Sequence, residues 1–173
     1  MLYFGLITVG SAVFYLISAA VSSIRHKKDE YDAICALLLH IRGALSSGGG
    51  TLSEITCSFK SDTLSKNGLL ECLGTDIGAL NGNSESYKGK STFFRDRLSD
   101  ISFSIDKSDA DKLILYLESF GKSYLEEEKR KLTEIFEHFR SKSAAVAEKS
   151  EKNIKVIWIL FVFCFVAVFI FLL

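Results

Sequence analysis

The two ends of the chain constrain it most. Leu2 to Ile24 (LYFGLITVGSAVFYLISAAVSSI) carries no charged residue and no proline, and Val156 to Leu173 (VIWILFVFCFVAVFIFLL) is apolar throughout. A helix of about 20 apolar residues spans a bilayer core, so the first segment is long enough and the second sits at the short end of the range. A core helix of a globular protein keeps a polar stripe towards water, and Val156–Leu173 has none. Both segments, 2–24 and 156–173, therefore read as transmembrane helices. A cleaved leader is the competing reading of the first, because Ser18–Ser23 (SAAVSS) resembles a small-residue cleavage region. Its apolar run is too long for a leader core, and no basic stretch precedes it.

All charged residues lie between the two segments, 21 basic against 21 acidic. Arg25, Lys27 and Lys28 follow the first segment, and Lys149, Lys152 and Lys155 precede the second. Positive residues stay on the cytoplasmic side, so residues 25–155 are expected in the cytoplasm and both ends of the chain across the membrane. Trp158 suits the interfacial end of its span. With Cys164 the one exception to wholly nonpolar chemistry in that span, no ion or proton path is expected there.

The central stretch is long enough for one domain with its own core. Its richness in Leu, Glu, Lys, Ser and Ala, with no proline in the chain, favours helices. The balanced charge gives no basic patch for nucleic acid. Cys35, Cys57, Cys72 and Cys164 share no CxxC spacing, and the three between the apolar segments, Cys35, Cys57 and Cys72, read as small buried hydrophobes. His26, His40 and His138 are scattered, so no metal site or cofactor is expected.

Helical spacing of Tyr31, Ile34, Cys35, Leu38, Ile41 and Leu45 marks a helix over Asp29–Ser46, running on from the first span. Ser46–Gly50 (SSGGG) ends it. Thr51-x-x-Glu54 is a capping box for a short helix to Phe59. One helix is expected over Asp62–Leu80 and, after the polar loop Asn81–Ser86, another over Tyr87–Phe103. Ile101–Ile105 alternates like a strand but has no partner strand. Ser108-x-x-Asp111 is expected to cap a helix holding Leu113, Ile114, Leu117 and Phe120, and Ser123-x-x-Glu126 to cap the last one. In that helix Leu125, Leu132, Phe139 and Val146 fall seven apart, with Ile135, Phe136 and Ser143 beside them, a seam for other helices. Glu126 with Arg130, and Glu127 with Lys131, have the spacing of helix-stabilising ion pairs. The fold class is all-α: a cytoplasmic helical bundle between two membrane helices.

Gly-Lys-Ser occurs twice, at Gly89–Ser91 and Gly121–Ser123, and is the end of a phosphate-binding loop. The full loop needs another glycine five residues before the first of the three, with a strand before it. Those positions hold Ser84 and Tyr116, and a helical pattern precedes Gly121. Gly121 is instead expected at a close turn between two helices. No spacing singles out a nucleophile and a base.

Two stretches carry a resemblance. Tyr31–Ile55 (YDAICALLLHIRGALSSGGGTLSEI) and Leu113–Phe139 (LILYLESFGKSYLEEEKRKLTEIFEHF), in a short chain with an apolar helix at each end, resemble the stage III sporulation protein AB family, which is related to the cytoplasmic domains of type II secretion and type IV pilus inner-membrane platform proteins. The chain departs from that pattern after the FGKS turn, where Tyr124 and Glu126–Glu128 replace a second glycine and a glutamine, and Ser84–Ser104 matches weakly. The resemblance implies a non-enzymatic subunit in the outer forespore membrane, its domain on the mother-cell side. Its implied partners are a secretion-type hexameric ATPase and the other membrane proteins of a sporulation channel. Exposed charges near the turn, Lys122, Glu126, Glu127 and Arg130, are the candidate contact residues. Two other classes remain open: a general secretion platform, and an exported helical protein with a membrane anchor. A membrane enzyme or receptor would need a polar pocket or an intramembrane functional group, and the sequence offers neither.

Overall fold

The computed structural model describes the backbone of residues 2–48, 51–78, 97–98 and 100–172, and the side chains of these except 2–14, 16, 75–78, 164–165 and 167–172. Within that set the fold is all-α, with no strand. The elements are α1 (Leu2–Ser46), α2 (Leu52–Cys57), α3 (Asp62–Lys66), α4 (Leu69–Gly78), α5 (Lys107–Ser119) and α6 (Leu125–Leu172).

The chain divides into two compact units. The first joins residues 1–28 and 144–173, that is, the start of α1 and the end of α6. Both expected membrane spans belong to it and lie in part outside the described side chains. Among the described residues no helix is long and apolar enough to cross a membrane. Where side chains are described, Val156, Trp158, Ile159, Leu160, Val162, Phe163 and Val166 are exposed, and the Trp158 ring meets Phe161 edge-on at 5.9 Å.

The second unit, residues 29–143, holds the core. On α1, Tyr31, Ile34, Leu38 and Ile41 of the expected stripe are wholly buried, and so is Leu37 beside it. Each such aliphatic side chain contributes about 1.5–3 kcal/mol by leaving water. Leu64, Leu69, Leu73, Leu98, Leu113, Leu132 and Phe139 are equally inaccessible. Tyr31 of α1 lies 6.1 Å from the Phe139 ring of α6, centroid to centroid. The expected seam on α6 holds at Leu132, Phe136 and Phe139, which are buried. It does not begin at Leu125, which is exposed. Glu128 takes the inward position instead.

α1 ends where the Ser47 amide bonds Gly43 O at 3.1 Å and Gly48 takes φ +120°. Thr51 and Glu54 form the expected capping box: the Glu54 amide donates to Thr51 Oγ1 at 3.3 Å, and the Thr51 amide to Glu54 Oε2 at 2.9 Å. His40 ties α1 to the end of α2, its Nε2 lying 3.1 Å from Ile55 O and 2.9 Å from Ser58 Oγ.

Three helix expectations are corrected. The helix expected over Asp62–Leu80 is two, α3 and α4, parted at Asn67–Gly68. Gly68 stands at φ +82°, a conformation helical residues do not adopt, and Asn67 Oδ1 accepts the Leu69 amide at 3.1 Å. Most of the helix expected over Tyr87–Phe103 lies outside the described residues, but its end does not: residues 100–106 are non-helical. The backbone there is drawn to α1, the Ser104 amide donating to Glu30 Oε2 at 2.6 Å. The third helix, α5, starts at Lys107 with Asp106 as its cap residue, two positions before Ser108. The Asp106 carbonyl accepts the Asp109 and Ala110 amides at 2.9 and 3.0 Å.

Candidate functional site

α5 and α6 are joined by a corner at Phe120–Tyr124. Phe120 at φ −58°, ψ 132°, Gly121 at φ +77° and a 3.2 Å bond from the Lys122 amide to Ser119 O make a type II turn, which requires a positive φ at its third residue. A helix, not a strand, precedes Gly121, so the phosphate-loop geometry is absent at this corner. Gly89–Ser91 lies outside the described residues.

The expected cap at Ser123 does not form. Lys131, two turns into α6, donates to Ser123 Oγ at 2.6 Å, and α6 begins at Leu125, its first backbone bond running from the Glu128 amide to Tyr124 O at 2.9 Å. Lys131 also pairs with Glu127 at 3.1 Å, as the spacing predicts. Glu126 pairs with Lys129 at 3.0 Å instead of Arg130, and Arg130 with Glu134 at 2.8 Å. The four candidate contact residues, Lys122, Glu126, Glu127 and Arg130, are all exposed at this corner and along the first turns of α6. Tyr124 beside them is 89% exposed.

Behind that charged face the corner buries polar groups. Glu128 is 2% exposed and Tyr116, on α5, 6%. Neither Glu128 Oε1, Glu128 Oε2 nor Tyr116 Oη has a hydrogen-bond partner among the described residues. The Glu128 pKa is raised, by burial first and by the neighbouring Glu127 charge in addition; Lys131 and the Gly121 amide pull it back only partly. That amide is near enough to favour the charged form yet makes no hydrogen bond of normal geometry. Burial, with the Glu128 charge adding to it, pushes the Tyr116 phenol up as well.

A second polar centre lies at the other end of α5. Asp109 is buried and collects three partners from two helices. Tyr31 Oη donates to its Oδ2 at 2.7 Å, His138 Nε2 to its Oδ1 at 2.9 Å, and Lys142 Nζ lies 3.4 Å from Oδ2. A carboxylate only accepts, so the proton of that imidazole contact is on Nε2. Lys112 Nζ stands 3.5 Å from the same nitrogen. Burial is the largest single influence on Asp109 and would raise its pKa. The Tyr31 and His138 hydrogen bonds and the Lys142 charge outweigh it and hold the carboxyl below its ordinary range. Burial, reinforced by the bond to Asp109, raises the Tyr31 phenol. The sequence reading found His138 scattered. The signal it left was His138 and Lys142 one turn apart on α6, facing an acid on α5.

Glu30 makes a third buried tie, accepting Asn67 Nδ2 at 2.8 Å as well as the Ser104 amide. No three His, Cys, Asp or Glu residues among those described could together hold a metal ion. Of the cysteines, Cys72 is buried as expected and Cys35 is half-buried, its thiol pushed up to about 11 by burial and by Asp32. Cys57 is exposed, contrary to the reading of all three as buried. The Cys164 side chain lies outside the described residues.

No family model, no curated protein and no solved structure matches this chain.

Proposed function

We propose that the chain is a non-enzymatic membrane platform subunit, whose central helical domain couples a cytoplasmic secretion-type ATPase to a membrane assembly of the kind built during sporulation. The observation that carries this reading is where the two stretches with the family resemblance fall. Tyr31–Ile55 supplies the buried face of α1 with the capped turn into α2, and Leu113–Phe139 supplies α5, the Gly121 corner and the inward face of α6. The two stretches therefore supply much of the packed framework of the domain, to which Leu64, Leu69, Leu73 and Leu98 add. Supporting it, the polar clusters at Asp109 and Glu30 are occupied by contacts between helices, which is what a rigid adaptor needs. The exposed apolar side chains of Val156, Trp158, Ile159, Leu160, Val162, Phe163 and Val166 fit a lipid-facing helix, since in lipid such side chains need no protein cover.

The reading is tested with the full chain in detergent and a secretion-type hexameric ATPase from the same organism. Wild type is expected to retain the ATPase on an affinity column. The charge reversal of K122E, E126K, E127K and R130E together is expected to release it while lowering the thermal midpoint only modestly, since it turns the Glu126–Lys129, Glu127–Lys131 and Arg130–Glu134 pairs into like-charge contacts on the surface. No retention by wild type, or equal retention by the reversed variant, defeats the reading. The membrane topology has its own test: a tag after Leu173 is expected to react with a membrane-impermeant label applied from outside. Labelling only after permeabilisation contradicts it.

A further inference from the structure

The α5–α6 corner buries an ionisable group that has no hydrogen-bond partner among the described residues. Glu128 lies on the inward face of α6, one turn before Leu132, and both carboxyl oxygens are buried without a hydrogen-bond partner among the described residues. The Tyr116 hydroxyl of α5 is buried in the same state. Among the described residues, the charged groups acting on Glu128 are Lys131 and Glu127 of α6. Lys131 is already shared between Glu127 at 3.1 Å and Ser123 Oγ at 2.6 Å. The turn offers Gly121 N–H, short of a hydrogen bond, and α5 offers only the phenol. A neutral carboxyl tolerates such a place far better than a carboxylate, because burying an uncompensated charge costs much more than burying a polar group. The corner itself is a short turn hinged on Gly121, whose positive φ is held by a single 3.2 Å backbone bond.

We propose that this corner is a proton-linked latch, closed with Glu128 neutral and opened when Glu128 loses its proton to solvent. Opening carries the carboxylate out of the packed face and frees the first turns of α6 from α5. The sign follows from linkage: the closed form binds the proton more tightly than the open form, so closure is favoured at low pH and weakens as pH rises. The weakening begins near the ordinary glutamate pKa, about 4.3, and continues until the raised value in the closed state is passed. Lys122, Glu126, Glu127 and Arg130 ride on this corner, so where the platform reading holds, the latch also governs how they are displayed.

The test is hydrogen exchange on the full chain in detergent, between about pH 5 and 8, corrected for intrinsic rates. One proton released per opening makes the opening constant rise about tenfold per pH unit inside the window. Amides of Phe120–Leu132 in wild type are therefore expected to lose protection with pH relative to Ile34–Ile41 of α1. In E128Q, which has no proton to lose, the ratio is expected to stay flat. A flat ratio in wild type, or an undiminished slope in E128Q, overturns the proposal. Should E128Q fold poorly, the wild type still decides: the Glu128 carboxyl carbon, followed by NMR, must titrate above the other glutamates, and a midpoint among them refutes the latch. Neither readout needs a partner, so the latch and the platform reading fail separately.

Discussion

Asp109 Oδ2 accepts the Tyr31 hydroxyl at 2.7 Å across 78 positions of sequence. The bond joins α1 to α5, and the opposite oxygen of the same carboxylate takes His138 of α6 at 2.9 Å. One side chain thus closes three helices on each other. A bond to a charged acceptor contributes more than a neutral one, about 1.5–3 kcal/mol.

Replacing Tyr31 by Phe removes one donor and leaves the ring against Phe139. Thermal denaturation is expected to show a loss of about 1.5–3 kcal/mol. The loss in D109A should be larger, about 3–6 kcal/mol, because it removes the charged acceptor of both the Tyr31 hydroxyl and the His138 imidazole. Equal stability of Y31F and wild type would show that the hydroxyl bond contributes nothing.

Acid should loosen the same centre. The Asp109 pKa is lowered by its partners, so its stabilisation is complete above the ordinary aspartate value, about 3.9. It disappears as pH falls through the depressed value of the folded state. Unfolding followed from pH 6 downwards is expected to show wild type losing stability in this range, with D109N lacking that component. The Glu128 contribution has the opposite sign and is present in both proteins, so the difference between the two curves isolates Asp109.

The turn glycine is needed for its backbone and not for space. A Cβ on Gly121 would meet nothing within 4 Å, yet φ is +77°. G121A is expected to cost about 1–2 kcal/mol by left-handed strain alone. G43A provides the contrast: Gly43 sits within α1, also in open space, and alanine there should stabilise by about 1 kcal/mol. Opposite shifts of the two melting curves are the expected outcome, and shifts of the same sign would refute the account.

The capping box predicts a smaller effect. T51A removes the side chain that accepts the Glu54 amide and is expected to destabilise by about 1 kcal/mol. Exchange at the amides of Leu52–Ile55 should speed up, with Leu113–Leu117 unchanged.

What could be read beforehand was what depends on neighbours in sequence. The stripe on α1, the box at Thr51 and Glu54, the Glu127–Lys131 pair and the turn at Gly121 each follow from local spacing. The break at Asn67–Gly68 was hidden because helical spacing resumes on both sides of it. Ser123 looked like a cap because its sequence fits one, but Lys131 competes for its hydroxyl. The Asp109 centre joins residues of three helices, and no single-helix pattern encodes such a meeting. Glu128 was nearer to legible. It lies four, eight and eleven positions before Leu132, Phe136 and Phe139, the arithmetic of one helix face, but its charge placed it with the solvated glutamates beside it.

The three-helix junction at Asp109 also sets an order of events during synthesis. The acid emerges from the ribosome after Tyr31 but 29 positions ahead of His138. Until α6 has followed, α1 and α5 have only one of the carboxylate's partners between them, and the apolar face meant for Leu132 and Phe139 stands open. A nascent chain that stalls inside α6 is therefore an exposed and sticky intermediate.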